Sequence, residues 1–256
     1  MAVQLIGYEP SGVGSSLLVS DAGTVCRVSL EAGRTLEFAL GERRCAGTVD
    51  LDSGTHTPCE RPSAPFCDQH TSTWICARCT GTCLKVELDC DEPHAVYLAG
   101  FAPETVKVGV TREWRLETRL REQGADRGVH VTTVEDGRIA RELEADLATR
   151  FPDRVSISTK RAGLTTAMDE AVWEAALETV EERERYLFTY GLDLSHQPVA
   201  ESIARGTVRG LKGRLLVLES VGTTYAVDLR DLVGYTVASG PSSRRRQSSL
   251  GVFDEG

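Results

Sequence analysis

Long apolar runs are absent from this 256-residue chain. No stretch approaches the roughly 20 consecutive apolar residues that a transmembrane helix needs. The opening MAVQLIGYEP also lacks the basic start and apolar core of a secretory signal. These absences predict a cytoplasmic protein with no membrane partner. Thiols stay reduced in the cytoplasm, so clustered cysteines there bind a metal more often than they form disulfides.

Lysine is scarce as well. The chain has lysine only at positions 85, 107, 160 and 212, so nearly all of its positive charge is arginine. The net charge of −9 excludes the class of proteins that bind nucleic acid through an overall basic surface. Any such binding must come from a local cluster of cationic side chains.

Cysteine, in contrast, is concentrated in one segment. With 41% hydrophobic residues the chain can build a core without disulfides, so its eight cysteines need another explanation. Seven of them, with one histidine, form a set of candidate metal ligands: Cys45, Cys59, Cys67, His70, Cys76, Cys79, Cys83 and Cys90. The set contains a C-x-x-H pair and a C-x-x-C pair, and such short loops bring two ligands to one zinc ion. The eighth cysteine, Cys26, is predicted to be a core residue.

The eight candidates divide into two tetrahedral sets. One set is Cys45, Cys59, Cys67 and His70, and the other is Cys76, Cys79, Cys83 and Cys90. His94 is an alternative to Cys83, so the chain is predicted to hold one or two structural zinc ions. Four thiolates also hold an iron–sulfur cluster, but the histidine in the first set favours zinc. His56 lies in a polar turn and has no evident partner.

The chain is predicted to have an α+β fold with six segments. These are β-strands over 1–44, a cysteine-rich zinc knuckle over 45–93, an α+β domain over 94–160, a long helix within 161–197, further β-strands over 198–239, and a disordered tail over 240–256. The α+β domain reads strand, strand, helix, strand, helix. The long helix is predicted over 166–188 from its helical spacing of apolar residues and a capping-box-like start. The two groups of strands could pair in one sheet or barrel.

An arginine-bearing helix is predicted over residues 112–123. Arg112, Arg115 and Arg119 share one face of it, because their spacing is i, i+3, i+7. A guanidinium group can donate hydrogen bonds to two phosphate oxygens at once, so this face suits phosphate binding. A solvated charged surface is the alternative. Trp114 in the same helix is predicted to be a packing residue.

The segments PHAVYLAGF, VKVGVT and TRLREQGA, around residues 94–123, resemble the uncharacterised domain-of-unknown-function family 2797. The cysteine knuckle before them and GRIARELE after them also resemble that family. The core of the match is similar to the GIY-YIG endonuclease superfamily. This resemblance implies a three-stranded antiparallel sheet flanked by helices for residues 94–160.

The resemblance also implies a phosphodiesterase-like site. Tyr97 matches the tyrosine of the first motif strand, Arg119 the helix arginine and Glu144 the metal-binding glutamate. Lys107 stands where most members have tyrosine. The implied chemistry is phosphodiester hydrolysis with one magnesium ion, in which Glu144 holds the metal, Arg119 the phosphate, and Tyr97 helps to activate water. Glu142 competes with Glu144 for the metal role, and His94 and His130 are nearby candidates for a base.

Three functions therefore stay open. The first is a zinc-stabilised nucleic-acid-binding protein without retained catalysis, the second a magnesium-dependent nuclease, and the third an adaptor that binds a protein partner. A fold does not by itself confer an activity. An electropositive cleft that contains Tyr97, Lys107, Arg119 and Glu144 would favour the first two, whereas dispersal of these side chains would favour the third.

Overall fold

The computed structural model describes residues 3–10, 14–71 and 92–239. Within these ranges the chain forms two compact units, one from residues 3–71 with 190–239 and the other from residues 92–189. The second predicted ligand set, from Cys76 to Cys90, and the predicted tail over 240–256 lie outside the described residues. Among the helices of these ranges, none has the length and hydrophobicity of a transmembrane span.

Most regular structure in the described chain is β. The strands are, in chain order, β1 (Val3–Glu9), β2 (Ser16–Asp21), β3 (Thr24–Ser29), β4 (Thr35–Arg43), β5 (Thr48–Asp50), β6 (Thr55–Thr57), β7 (His94–Phe101), β8 (Thr105–Arg112), β9 (Arg127–Val134), β10 (Glu184–Leu187), β11 (Val199–Ala200), β12 (Ala204–Lys212), β13 (Leu215–Ser220), β14 (Thr223–Asp228) and β15 (Tyr235–Ser239). The helices are α1 (Leu116–Gln123), α2 (Gly137–Leu147), α3 (Ile157–Ala162), α4 (Glu170–Leu177) and α5 (Leu229–Leu232).

The first unit is built on an 11-stranded sheet in the order β11-β14-β13-β12-β4-β15-β1-β2-β3-β6-β5. Strand β4 pairs with both β12 and β15, and β15 also pairs with β1. The N-terminal and C-terminal strands therefore form one sheet, as their sequences suggested. Apolar residues from both ends of the chain, including Leu5, Leu36 and Leu216, share one buried cluster that stabilises these long-range pairings.

The second unit contains a four-stranded antiparallel sheet in the order β10-β9-β7-β8. Every residue of the central strand β7 is buried, which accounts for its nearly continuous apolar sequence. The predicted order of strand, strand, helix, strand, helix is confirmed by β7, β8, α1, β9 and α2. The predicted fold class is nevertheless wrong. The described residues are 42% strand and 19% helix and form two sheets, not a GIY-YIG-like three-stranded sheet plus helices.

The long helix predicted over 166–188 is also wrong. Helix α4 begins after Asp169, whose carboxylate accepts hydrogen bonds from the backbone N–H groups of Ala171 and Val172, and it ends at Leu177. Residues 184–187 instead form β10, which pairs with β9. The helical spacing of apolar residues does continue past Leu177, but the ladder to β9 supplies the backbone hydrogen bonds that a continued helix would have made.

One face of the second sheet is left for polar groups. Along β8, Val106, Val108 and Val110 belong to the buried cluster of this unit. Lys107, Gly109 and Thr111 alternate with them and therefore point to the opposite face. Helix α2 packs against β7, β8 and β9, and α1 packs against β8. Side chains of β7, β8, α1 and α2 can therefore meet beside β8.

Candidate functional site

Four of the predicted metal ligands lie together in the first unit. The ligand atoms of Cys45, Cys59, Cys67 and His70 all lie within 4.8 Å of one another. His70 Nδ1 is 3.3 Å from Cys45 Sγ and 3.2 Å from Cys67 Sγ. We call these four residues the Cys3His cluster. They could hold a metal ion, and the arrangement is compatible with zinc.

Local hydrogen bonds explain why the sequence places these ligands together. The C-x-x-H segment is a tight turn, in which the His70 N–H and the Thr71 N–H and hydroxyl all donate to the Cys67 carbonyl. Cys45 follows β4, and its own N–H donates to the Arg61 carbonyl at 2.8 Å. At Gly47, with a φ of +67°, a Cβ would lie 2.1 Å from the Thr57 carbonyl oxygen, so only glycine fits there.

The surroundings of the cluster shift the pKa values of its two buried thiols in opposite directions. The backbone N–H groups of Gly47 and Cys67 donate to Cys45 Sγ at 3.4 and 3.3 Å. Burial raises the pKa of the Cys45 thiol. Burial would also raise the pKa of Cys67, but hydrogen bonds from the Gln69 and His70 backbone and from the Cys45 and His70 side chains outweigh it and lower the pKa of Cys67 to about 6. A thiolate is the form that ligates metal.

The donor set fits zinc in both chemistry and size. Three sulfur ligands and one imidazole form one of the ordinary structural zinc sets. Zinc–sulfur bonds of about 2.3 Å in a tetrahedron place the sulfur atoms about 3.8 Å apart. Because all four ligand atoms lie within 4.8 Å of one another, only small side-chain movements are needed for them to close on one ion.

Two smaller predictions about this unit are wrong. His56 is buried and has two partners, since its Nδ1 lies 2.8 Å from Ser20 Oγ and its Nε2 lies 2.7 Å from the Ala46 carbonyl oxygen. It therefore holds the chain next to Cys45. Cys26 is exposed rather than buried.

The second unit contains a pocket of about 850 Å³ beside β8. Its lining residues are Tyr97, Lys107, Gly109, Val110, Thr111, Arg112, Arg115, Arg119, Arg141, Glu144, Ala145, Ala148, Asp153 and Arg154. We call it the cationic pocket, because six of these side chains are lysine or arginine and two are carboxylates. All four residues of the predicted phosphodiesterase-like site line it. The predicted arginine face of residues 112, 115 and 119 lines it too.

Tyr97 forms the buried wall of the pocket. It is opposite Gly109 in the ladder between β7 and β8, and its hydroxyl accepts a hydrogen bond from Gln123 Nε2 at 2.6 Å. Burial raises the pKa of Tyr97, although the nearby Arg119 and the Gln123 hydrogen bond act against it. The phenol is therefore neutral at physiological pH and can donate a hydrogen bond.

Lys107 has an unusual titration for a lysine. Burial and the nearby Arg119 lower the pKa of its amine to about 8, despite the opposing attraction of Glu144 and Asp153. Its Nζ donates to the Asp153 backbone carbonyl at 3.1 Å. At neutral pH Lys107 is mostly charged, and it loses that charge under mildly basic conditions.

Glu144, and not Glu142, is the helix carboxylate that lines the pocket. It pairs with Arg141 at 2.5 Å, and only 16% of its side chain is exposed. Glu142 pairs with Arg138, and 62% of its side chain is exposed. The two histidines considered as bases do not line the pocket. His94 Nδ1 contacts the Glu92 carbonyl oxygen, and His130 Nε2 contacts the Thr133 hydroxyl.

Comparison with known families assigns the chain to one family. The family described as "Protein of unknown function (DUF2797)" matches residues 33–237. The chain belongs to this family. No curated protein and no solved structure matches the chain. The range shared with the DUF2797 family includes both the Cys3His cluster and the cationic pocket.

Sequence reasoning missed some lining residues of this DUF2797 member. Arg141 precedes Glu144 by three positions on α2, so helical spacing alone could have placed them on one face. Asp153 and Arg154 follow the helix in an irregular segment and carry no such signal. Trp114, predicted to be a packing residue, is 72% exposed.

Proposed function

We propose that this protein binds nucleic acid through the cationic pocket, with zinc at the Cys3His cluster as a structural ion. The observation that carries the proposal is the charge of the pocket. Six cationic side chains and two carboxylates line it, whereas the whole chain has a net charge of −9. Concentrating positive charge at one place in an acidic protein favours an anionic ligand at that place.

The number and type of these cations favour a chain of phosphates over a single anion. Five of the six are arginines, whose planar guanidinium groups bind phosphate oxygens in pairs. Several of the six already have acidic neighbours. Arg115 and Arg119 both pair with Glu122, for example. A polyanion that follows the pocket could still engage several arginines in turn, and each phosphate contact would release a counterion.

A structural role for zinc follows from its ligands. Three cysteines and one histidine complete a tetrahedron and leave no open position for water or substrate. Cys45 and Cys67 are also buried, at 0% and 1% exposure, which keeps reactants away from the ion. Residues 45–70 have short strands and irregular turns, so a metal would supply binding energy that a small apolar core cannot.

Salt-dependent binding tests the proposal. Affinity of the zinc-loaded protein for fluorescently labelled DNA and RNA would be measured over a range of salt concentrations. We expect affinity to fall as salt rises, and Arg119→Ala to weaken binding and reduce the logarithmic salt slope by about one. The control is Arg185→Ala, which removes an arginine paired with Glu182 and Glu174 outside the pocket lining. Equal affinity of wild type and Arg119→Ala would refute the proposal.

A magnesium-dependent nuclease is the second candidate. One observation favours it, which is that Glu144 lines the same pocket as Tyr97, Lys107 and Arg119. Magnesium is commonly held by one or two carboxylates together with substrate phosphates. Here, however, Glu144 is paired with Arg141, and a metal ion would have to displace that guanidinium. Binding without cleavage is therefore our first candidate. The adaptor function gains no support, since the four side chains are gathered in one pocket rather than dispersed.

A further inference from the structure

An exposed tryptophan stands at the edge of the cationic pocket. Trp114 lies in a 3-10 turn, Glu113–Arg115, between β8 and α1, and is 72% exposed. Its sequence neighbours Arg112 and Arg115 both line the pocket, although the indole itself is not part of the lining. An exposed aromatic ring beside a cationic pocket offers a flat apolar face on which a ligand of that pocket can stack.

Two contacts hold the indole next to the pocket wall. Glu92 accepts a hydrogen bond from Trp114 Nε1 at 3.4 Å, and the same carboxylate oxygen lies 3.3 Å from Arg112 Nε. The guanidinium of Arg115 lies 5.9 Å from the centre of the indole ring. The 3-10 turn is itself fixed by a backbone hydrogen bond from the Glu113 N–H to the Pro93 carbonyl. The ring is thus positioned in advance while its surface stays open to solvent.

We infer that Trp114 stacks on an unpaired base, so that the ligand of the cationic pocket is single-stranded or has an unpaired segment. This inference rests on the proposed nucleic-acid binding and specifies its substrate class. Recognition of a single strand has two components. Cationic side chains bind the phosphates of the nucleic-acid backbone, and an aromatic ring beside them stacks on a base. Bases within a duplex have their faces covered by neighbouring pairs and cannot stack on the indole without being displaced.

Binding of two matched strands tests the inference. The full-length, zinc-loaded protein would be titrated with a short labelled oligothymidine and with an abasic strand of the same length, which keeps the phosphates but has no bases. We expect Trp114→Ala to weaken oligothymidine binding about tenfold and to leave abasic-strand binding within about twofold of wild type. Trp114→Phe should retain most of the affinity, because it keeps an aromatic face.

Leu187→Ala is the matched control, since Leu187 is also a large exposed side chain, at 68%, and does not line the pocket. An equal loss of affinity for both strands in Trp114→Ala would overturn the inference, because the indole would then act through its arginine neighbours. Unchanged oligothymidine binding would also overturn it and would leave the ring to a protein partner, while the proposed function would stand. Failure of the wild-type protein to bind either strand while it binds duplex DNA would overturn the inference alone, and failure to bind duplex DNA as well would reject the proposed function.

Discussion

Tyr97 covers Gly109 from the neighbouring strand. The two residues are opposite each other in the ladder between β7 and β8. A Cβ on Gly109 would lie 2.6 Å from both the Cζ and the hydroxyl oxygen of Tyr97. The absence of a side chain at position 109 therefore allows the tyrosine ring to form the buried wall of the cationic pocket.

Gly109→Ala is expected to destabilise the protein by about 1–3 kcal/mol, because the added methyl group overpacks a buried ring. Urea denaturation would measure the change. The same substitution in a Tyr97→Ala background is the control, and there its effect on the free energy of unfolding should become small, since the clashing ring is gone. An equal effect in both backgrounds would mean that the ring is not what excludes alanine.

Lys107 is expected to make anion binding depend on pH. Its pKa of about 8 means that it is positive below pH 8 and neutral above it. The affinity of the pocket for nucleic acid should therefore fall by roughly fivefold, or about 1 kcal/mol, as the pH rises from about 7 to about 9.

The charged groups that act on Lys107 are Arg119, Arg141, Glu144 and Asp153. Lys107→Arg is the control, because arginine keeps its charge throughout. Its affinity should stay level with pH where that of the wild type falls. Parallel pH profiles of the two proteins would assign the pH dependence to another group.

Cys67→Ser is expected to remove one equivalent of bound zinc and to destabilise the first unit. Three remaining ligands would hold zinc more weakly, and the binding energy of a structural metal ion adds to the folding energy. Metal analysis of the purified protein and thermal unfolding with and without a chelator would measure both effects. Cys26→Ser is the control, since Cys26 is exposed and is not in the Cys3His cluster. Iron, or no metal, in the wild-type protein would refute the zinc assignment.

Glu144→Gln separates the two candidate functions. If the pocket only binds, removing a carboxylate from among six cations should raise nucleic-acid affinity a few-fold. If the protein is a nuclease, the same change should abolish magnesium-dependent cleavage, because the metal loses its charged ligand. Glu142→Gln is the control on the same helix, exposed and paired with Arg138. No cleavage by the wild-type protein, with tighter binding by Glu144→Gln, would leave only the binding function.

Most of what could be predicted about the two sites came from residues that are close together in the sequence. The C-x-x-H turn that joins Cys67 to His70 is specified by neighbouring residues, and its thiol and imidazole groups already indicated a metal. The i, i+3, i+7 spacing of Arg112, Arg115 and Arg119 likewise predicted one shared face, and all three line the pocket. Spacing could not show that Arg141 and Arg154 join them, because that requires α2 and the segment after it to return to β8.

Residues close together in the sequence indicated the order of elements from β7 to α2 and the ligand types of the Cys3His cluster, but not where α4 ends. The strand that residues 184–187 form on β9, and the 11-stranded sheet that both ends of the chain share, depend on long-range packing. The physical reason is that strand pairing joins residues far apart in the chain, such as Ala204 with Phe38. Helical spacing, turns and ligand motifs depend on neighbours, whereas the partner of a strand depends on which distant surfaces can be buried together.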